Sequence, residues 1–129
     1  MAAPTVVLDS SAVLAMFKAE PGWDRVVAVL PRAVLSTVNA AEVYSKLVEW
    51  KLTREEQMKF QAMLINLVVP YDNDLALRTG ALRAATQEFG LSFADRACLA
   101  LAQRLGVRVM TADKIWAKVK TGVEIDVIR

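Results

Sequence analysis

"LSFADRACLALAQRLGVRVMTAD", residues 91–113, decides the fold. Its first part places Ala94, Ala97, Cys98, Leu101, Ala102 and Leu105 along one face of a helix. Gly106 suits the end of that helix, and "VRVMT" (107–111) reads as a short, buried, β-branched strand. An acid, Asp113, follows the strand. The chain opens in a similar way: "TVVL" (5–8) is a strand, Asp9 follows it, and a helix runs from about 11 to 18. Twice, then, an apolar strand ends at a carboxylate with hydroxyls beside it, Ser10 and Ser11 in one case and Thr111 in the other.

The segments between repeat the alternation. "WDRVVAVLP" is a short helix stopped by Pro31, and "AVLS" (33–36) is a second strand. "TVNAAEVYSKLVEWK" (37–51) carries apolar residues at 40, 43, 44, 47 and 50, a helical stripe. "TREE" (53–56) is a capping box whose helix runs to about 66. "LVVPY" (67–71) is a third strand, and residues 72–90 form one helix ended by Gly90. "DKIWAKV" (113–119) makes one or two helical turns, and "EIDVI" (124–128) closes as a fifth strand. Strands alternating with helices predict an α/β domain over residues 1–129, with a mainly parallel sheet of four to five strands.

Composition narrows the chemistry. The chain has no histidine, which excludes Ser-His-Asp and Cys-His catalysis, imidazole bases and most zinc sites. Its single cysteine, Cys98, precludes an internal disulfide and reads as a small buried hydrophobe in a reducing cytoplasm. A net charge of +2 tolerates a nucleic-acid partner without arguing for one. Apolar residues make up 55% of the chain, an excess suited to covering a partner or a second copy. No apolar run approaches the ~18 residues of a membrane span, and Asp9 interrupts any signal-peptide pattern.

Four acids stand at or near predicted helix N-termini: Asp9, Glu42, Asp95 and Asp113. Each has an ordinary explanation. Asp9 and Asp113 read first as helix caps. Glu42 has Lys46 four residues on, a candidate surface ion pair. Asp95 closes a capping box with Ser92, yet it lies only about 60° around the helix from Cys98, at the border of the apolar arc. In a parallel sheet the helix N-termini gather at the carboxyl edge of the strands, where open α/β sheets bind ligands. Four carboxylates gathered there raise one another's pKa unless a cation neutralises them. An all-oxygen donor set suits Mg²⁺ or Mn²⁺, ions that work on phosphate esters.

"VVLDSSAVLA", "NAAEV", "LSFADRACLALAQRLG" and "VMTAD", in this order and at these separations, closely resemble the PIN domain, and within it the VapC-type toxins of prokaryotic toxin–antitoxin pairs. The resemblance spans essentially the whole chain. It implies a three-layer α/β/α sandwich and a Mg²⁺- or Mn²⁺-dependent endoribonuclease that leaves a 5′-phosphate and a 3′-hydroxyl. By position it puts the catalytic and metal-holding acids at Asp9, Glu42, Asp95 and Asp113, with Ser10, Ser11 and Thr111 as accessory hydroxyls. It also implies a cognate VapB-type antitoxin, a homodimer and a cytoplasmic setting. Many relatives carry a further acid just beyond the last aspartate, where this chain reads "KIW" with Trp116. Two other readings stay open: an aspartyl-phosphate enzyme or receiver-type domain built on Asp9 and Lys114, and a catalytically silent PIN-like RNA-binding module.

Overall fold

The computed structural model describes residues 3–129. Five strands form one sheet: β1 (Val6–Leu8), β2 (Ala33–Ser36), β3 (Val68–Val69), β4 (Arg108–Thr111) and β5 (Ile125–Val127). Their order is β3-β2-β1-β4-β5, and every pairing is parallel. Among the described residues seven α-helices accompany them: α1 (Ser10–Phe17), α2 (Trp23–Val29), α3 (Thr37–Glu49), α4 (Arg54–Leu64), α5 (Asn73–Ala81), α6 (Arg83–Thr86) and α7 (Phe93–Leu105). The expected α/β class with a parallel sheet is what the chain adopts.

The central strand shows why the arrangement has three layers. Side chains alternate across a strand, and all three of β1 are fully buried. Val6 and Leu8 enter a core with Ala12, Val13 and Met16 of α1, Val26 of α2 and Val43 of α3. Val7, on the other face, joins Leu75 of α5, Cys98 and Leu101 of α7, Val109 and Trp116. A strand apolar on both faces therefore has helices on both.

Three boundaries between residues 64 and 90 differ from the sequence reading. The helix expected over 72–90 breaks after Ala81 into α5, the single turn α6 and a 3₁₀ turn at Gln87–Phe89. Thr79 and Thr86 donate their hydroxyls back to the carbonyls of Leu75 (2.7 Å) and Leu82 (2.8 Å), bonds that bend helices. Gly90 ends the segment in the left-handed conformation (φ 69°), as expected. The strand expected over 67–71 shrinks to Val68–Val69, because Pro70 has no N–H to extend the pairing. The helix opened by the Thr53–Glu56 capping box stops at Leu64. Among the described residues no helix is long and apolar enough to cross a membrane.

The strand order reverses between β1 and β4. The chain builds outward from β1 through β2 to β3, then returns to add β4 and β5 on the opposite side. The crevice at the carboxyl ends of β1 and β4 is thus the place where such a sheet takes a ligand.

Candidate active site

Asp9 occupies the N-cap position of α1 with extended backbone (φ −75°, ψ 154°), yet its side chain makes no capping bond. Instead Oδ2 accepts from Ser11 Oγ at 2.6 Å and from Thr111 Oγ1 at 2.9 Å, a clasp between the ends of β1 and β4. The capping explanation of this residue therefore fails. Ser11 Oγ also accepts the Ala112 amide at 2.9 Å, and Thr111 Oγ1 accepts the Asp113 amide at 3.1 Å. Asp9 is 3% exposed. Burial pushes its carboxyl up to about 6, with the charges of Asp95 and Glu42 adding to the rise and the two hydroxyls opposing it.

Glu42 lies on the exposed side of α3 and does not pair with Lys46, which bonds Glu49 at 3.0 Å. Its Oε1 accepts from Ser10 Oγ at 2.6 Å, across 32 residues of sequence. Asp95 does form the capping box: Oδ2 accepts the Ser92 amide at 2.8 Å, and Ser92 Oγ accepts the Asp95 amide at 3.2 Å. It is also part of the acidic group. Burial raises its carboxyl, and the charges of Glu42 and Asp113 raise it further. Asp113 is exposed and caps the 3₁₀ turn Lys114–Lys118, accepting the Ile115 amide at 3.1 Å. Asp95 and Asp113 each cap a helix start, and the two also stand within electrostatic reach of each other.

The four carboxylates thus meet at the carboxyl edge of the sheet. None of them takes part in a salt bridge among the described residues, although Arg25, Lys46, Arg78, Arg104, Arg108 and Arg129 all find acidic partners elsewhere. Anions crowded without an internal cation fit a hard divalent ion. It is the donor chemistry that fits, since among the described residues no group of three or more acidic or cysteine side chains is arranged to hold a metal ion. Trp116, where relatives carry a further acid, is 1% exposed and belongs to the core. The Cys98 thiol lies behind the site, and burial holds it well above its ordinary range, which keeps it inert.

Sequence reasoning missed Asn39. It is fully buried, and its Nδ2 donates to Ser10 Oγ at 3.0 Å and to the Ala94 carbonyl at 3.2 Å. The signal was present, because 39, 43 and 47 share one helical face, and a lone amide there interrupts an apolar stripe.

The family model described as "PIN domain" matches residues 6–122. No curated protein matches the chain. Among solved structures, a chain of the DNA-bound VapBC complex from Salmonella typhimurium superposes with a TM-score of 0.74 at 20% identity, over 98% of this chain and 99% of that one. A chain of a toxin–antitoxin complex from Klebsiella pneumoniae gives 0.69 at 22% identity, over 94% and 100%. The sarcin-ricin-loop-cleaving toxin VapC20 of Mycobacterium tuberculosis gives 0.69 at 15% identity, over 93% and 99%.

Proposed function

Because the chain belongs to the PIN domain family, we propose that it is a VapC-type endoribonuclease toxin. In this reading Asp9, Glu42, Asp95 and Asp113 hold Mg²⁺ or Mn²⁺. The observation that carries it is the meeting of four carboxylates, one of them buried, where the strand order reverses, with no cation among the described residues paired to any. A bound divalent ion supplies a water of lowered pKa and neutralises charge on the phosphate oxygens.

The residues divide the remaining work. Ser11 and Thr111 both donate to Asp9 Oδ2 and would hold this carboxylate in place for a cation. Ser10 aims the Glu42 carboxylate, and the Ser92 amide orients that of Asp95. Glu42 and Asp113, the exposed carboxylates of the four, are the ones that would be open to accept a proton from solvent. The hydroxyls have no imidazole to activate them, so they orient acids and do not attack phosphorus. An aspartyl-phosphate role for Asp9 gains no support, because the side chain is buried and already holds two hydroxyls.

RNA must reach an acidic centre that repels it, so cations beside the centre track the backbone. Arg25 is engaged with Asp126, Lys46 with Glu49, and Arg96 is buried against the Thr79 carbonyl. Arg129 is engaged with Glu20, whereas Lys114 lines a cleft of about 440 Å³ that adjoins Ser11 and Asp113, which favours it as a phosphate contact. Exposed Val48, Met58, Met63 and Ile65, on or just beyond α3 and α4, support an apolar face for a VapB-type antitoxin or a second copy in the cytoplasm. The test is cleavage of end-labelled structured RNAs with Mn²⁺, Mg²⁺ or EDTA. Cuts that need the metal and vanish in Asp9→Asn support the reading, and cuts that survive in EDTA overturn it.

A further inference from the structure

Asn39 stands in the first turn of α3, three residues before Glu42. It shares its buried face with Val43 and Leu47. An apolar side chain would satisfy those surroundings better than an amide, since Asn39 Oδ1 is buried with no hydrogen-bond partner among the described residues. Packing therefore does not account for the amide, whereas its N–H groups do. Nδ2 lies 3.2 Å from the Ala94 carbonyl, 3.0 Å from Ser10 Oγ and 3.5 Å from Glu42 Oε1. Turning the amide over would set Oδ1 against the Ala94 carbonyl and the Glu42 carboxylate, so those acceptors dictate its orientation.

The contacts join three acid-bearing segments. Ser10 adjoins Asp9, and its hydroxyl donates to Glu42 Oε1 at 2.6 Å. Ala94 adjoins Asp95 in the first turn of α7. One side chain thereby spans the starts of α1, α3 and α7.

We propose that Asn39 is a positioning residue of the acidic centre. Its amide ties the Glu42 carboxylate, through Ser10, to the start of α7, and so sets the separation of Glu42 from Asp95. Asn39 acts on the ligands and is not one of them. The proposal rests on the metal-site reading above and goes beyond it. Without the amide, the exposed Glu42 side chain regains rotamers that must be frozen again when a cation binds. Groups that orient metal ligands typically change affinity about ten- to hundred-fold when removed.

The experiment compares the wild-type chain with Asn39→Leu and Asn39→Ala. Leucine copies the branching of asparagine and fills its space without donors, while alanine removes the same amide and leaves a cavity. Thermal melting reports folding, calorimetric titration with Mn²⁺ alone reports affinity, and RNA cleavage is followed against Mn²⁺ concentration. The expected result is cooperative melting with Mn²⁺ bound about ten- to hundred-fold more weakly, and a matching rise in the Mn²⁺ needed for half-maximal cleavage. A folded variant with wild-type Mn²⁺ affinity overturns the proposal, even if it melts earlier. Failure of both variants to fold assigns the amide to stability and overturns it too. A wild-type chain that neither binds Mn²⁺ nor cleaves RNA sinks the metal-site reading itself, which separates that failure from this one.

Discussion

Removing the charge of Asp9 should stabilise the metal-free protein while abolishing its activity. The folded chain holds this carboxyl at about 6 against an ordinary 3.8, with burial the main cause. Because the folded pKa is the higher one, the native state binds the proton more tightly than the unfolded state. Ionisation therefore removes stability as pH rises from about 4 through 6, and the full loss is present above that range. At about 1.4 kcal/mol per pH unit, the shift amounts to about 3 kcal/mol at pH 7.5. Asparagine keeps an oxygen for the Ser11 and Thr111 hydroxyls and carries no charge to desolvate. Asp9→Asn in EDTA should thus unfold about 3 kcal/mol harder in urea at pH 7.5, or melt roughly 10 °C later. The gain should shrink below about 1 kcal/mol at pH 4, where the folded carboxyl is protonated and the unfolded one, near its ordinary 3.8, is only partly ionised. Saturating Mn²⁺ should raise the wild type by RT ln(1 + [L]/Kd) and leave the variant unmoved. If Asp9 were only a cap, asparagine would replace it with almost no change in stability. An unchanged or lower stability at pH 7.5, or a gain that persists in full at pH 4, would refute the argument.

Glu42 is exposed, so Glu42→Gln should shift stability by less than about 1 kcal/mol while cleavage falls at least roughly a hundredfold; urea unfolding and turnover measured together check this. Lys114→Glu, placed in the Asp9→Asn background, should weaken RNA binding and lower the slope of log affinity against log salt by about 1. Filter binding across a salt series reads that slope, and an unchanged slope removes Lys114 from the phosphate path. Gly22 has φ 93°, and a Cβ there would run into the Ile128 carbonyl. Gly22→Ala should therefore destabilise by more than about 1 kcal/mol and leave the specific activity of the folded fraction unchanged, as melting and an active-fraction assay would show.

The alternation of apolar strands with amphipathic helices was legible because it is a local property, repeated along the whole chain. Residues 91–113 show it most plainly, and Asp95 and Asp113 could be placed at helix starts from spacing alone. Local chemistry also explained the caps that formed, at Thr53 and Ser92. The interruption of the helix after Ala81 was less legible. It depends on whether Thr79 and Thr86 turn their hydroxyls back to the chain, and burial decided that.

By itself the sequence determined the α/β class and the parallel sheet and marked the four acids as candidates, because periodicity and residue type carry that information without reference to distant neighbours. Only the tertiary structure decided what each acid touches. Asp9 binds Thr111 across 102 residues rather than capping its own helix, and Glu42 takes Ser10 rather than Lys46. The lack of a paired cation among the described residues and the place of Asn39 belong to the same class of fact. Desolvation, charge coupling and hydrogen-bond partners are set by groups that packing brings together from far along the chain, and no local window of sequence contains them.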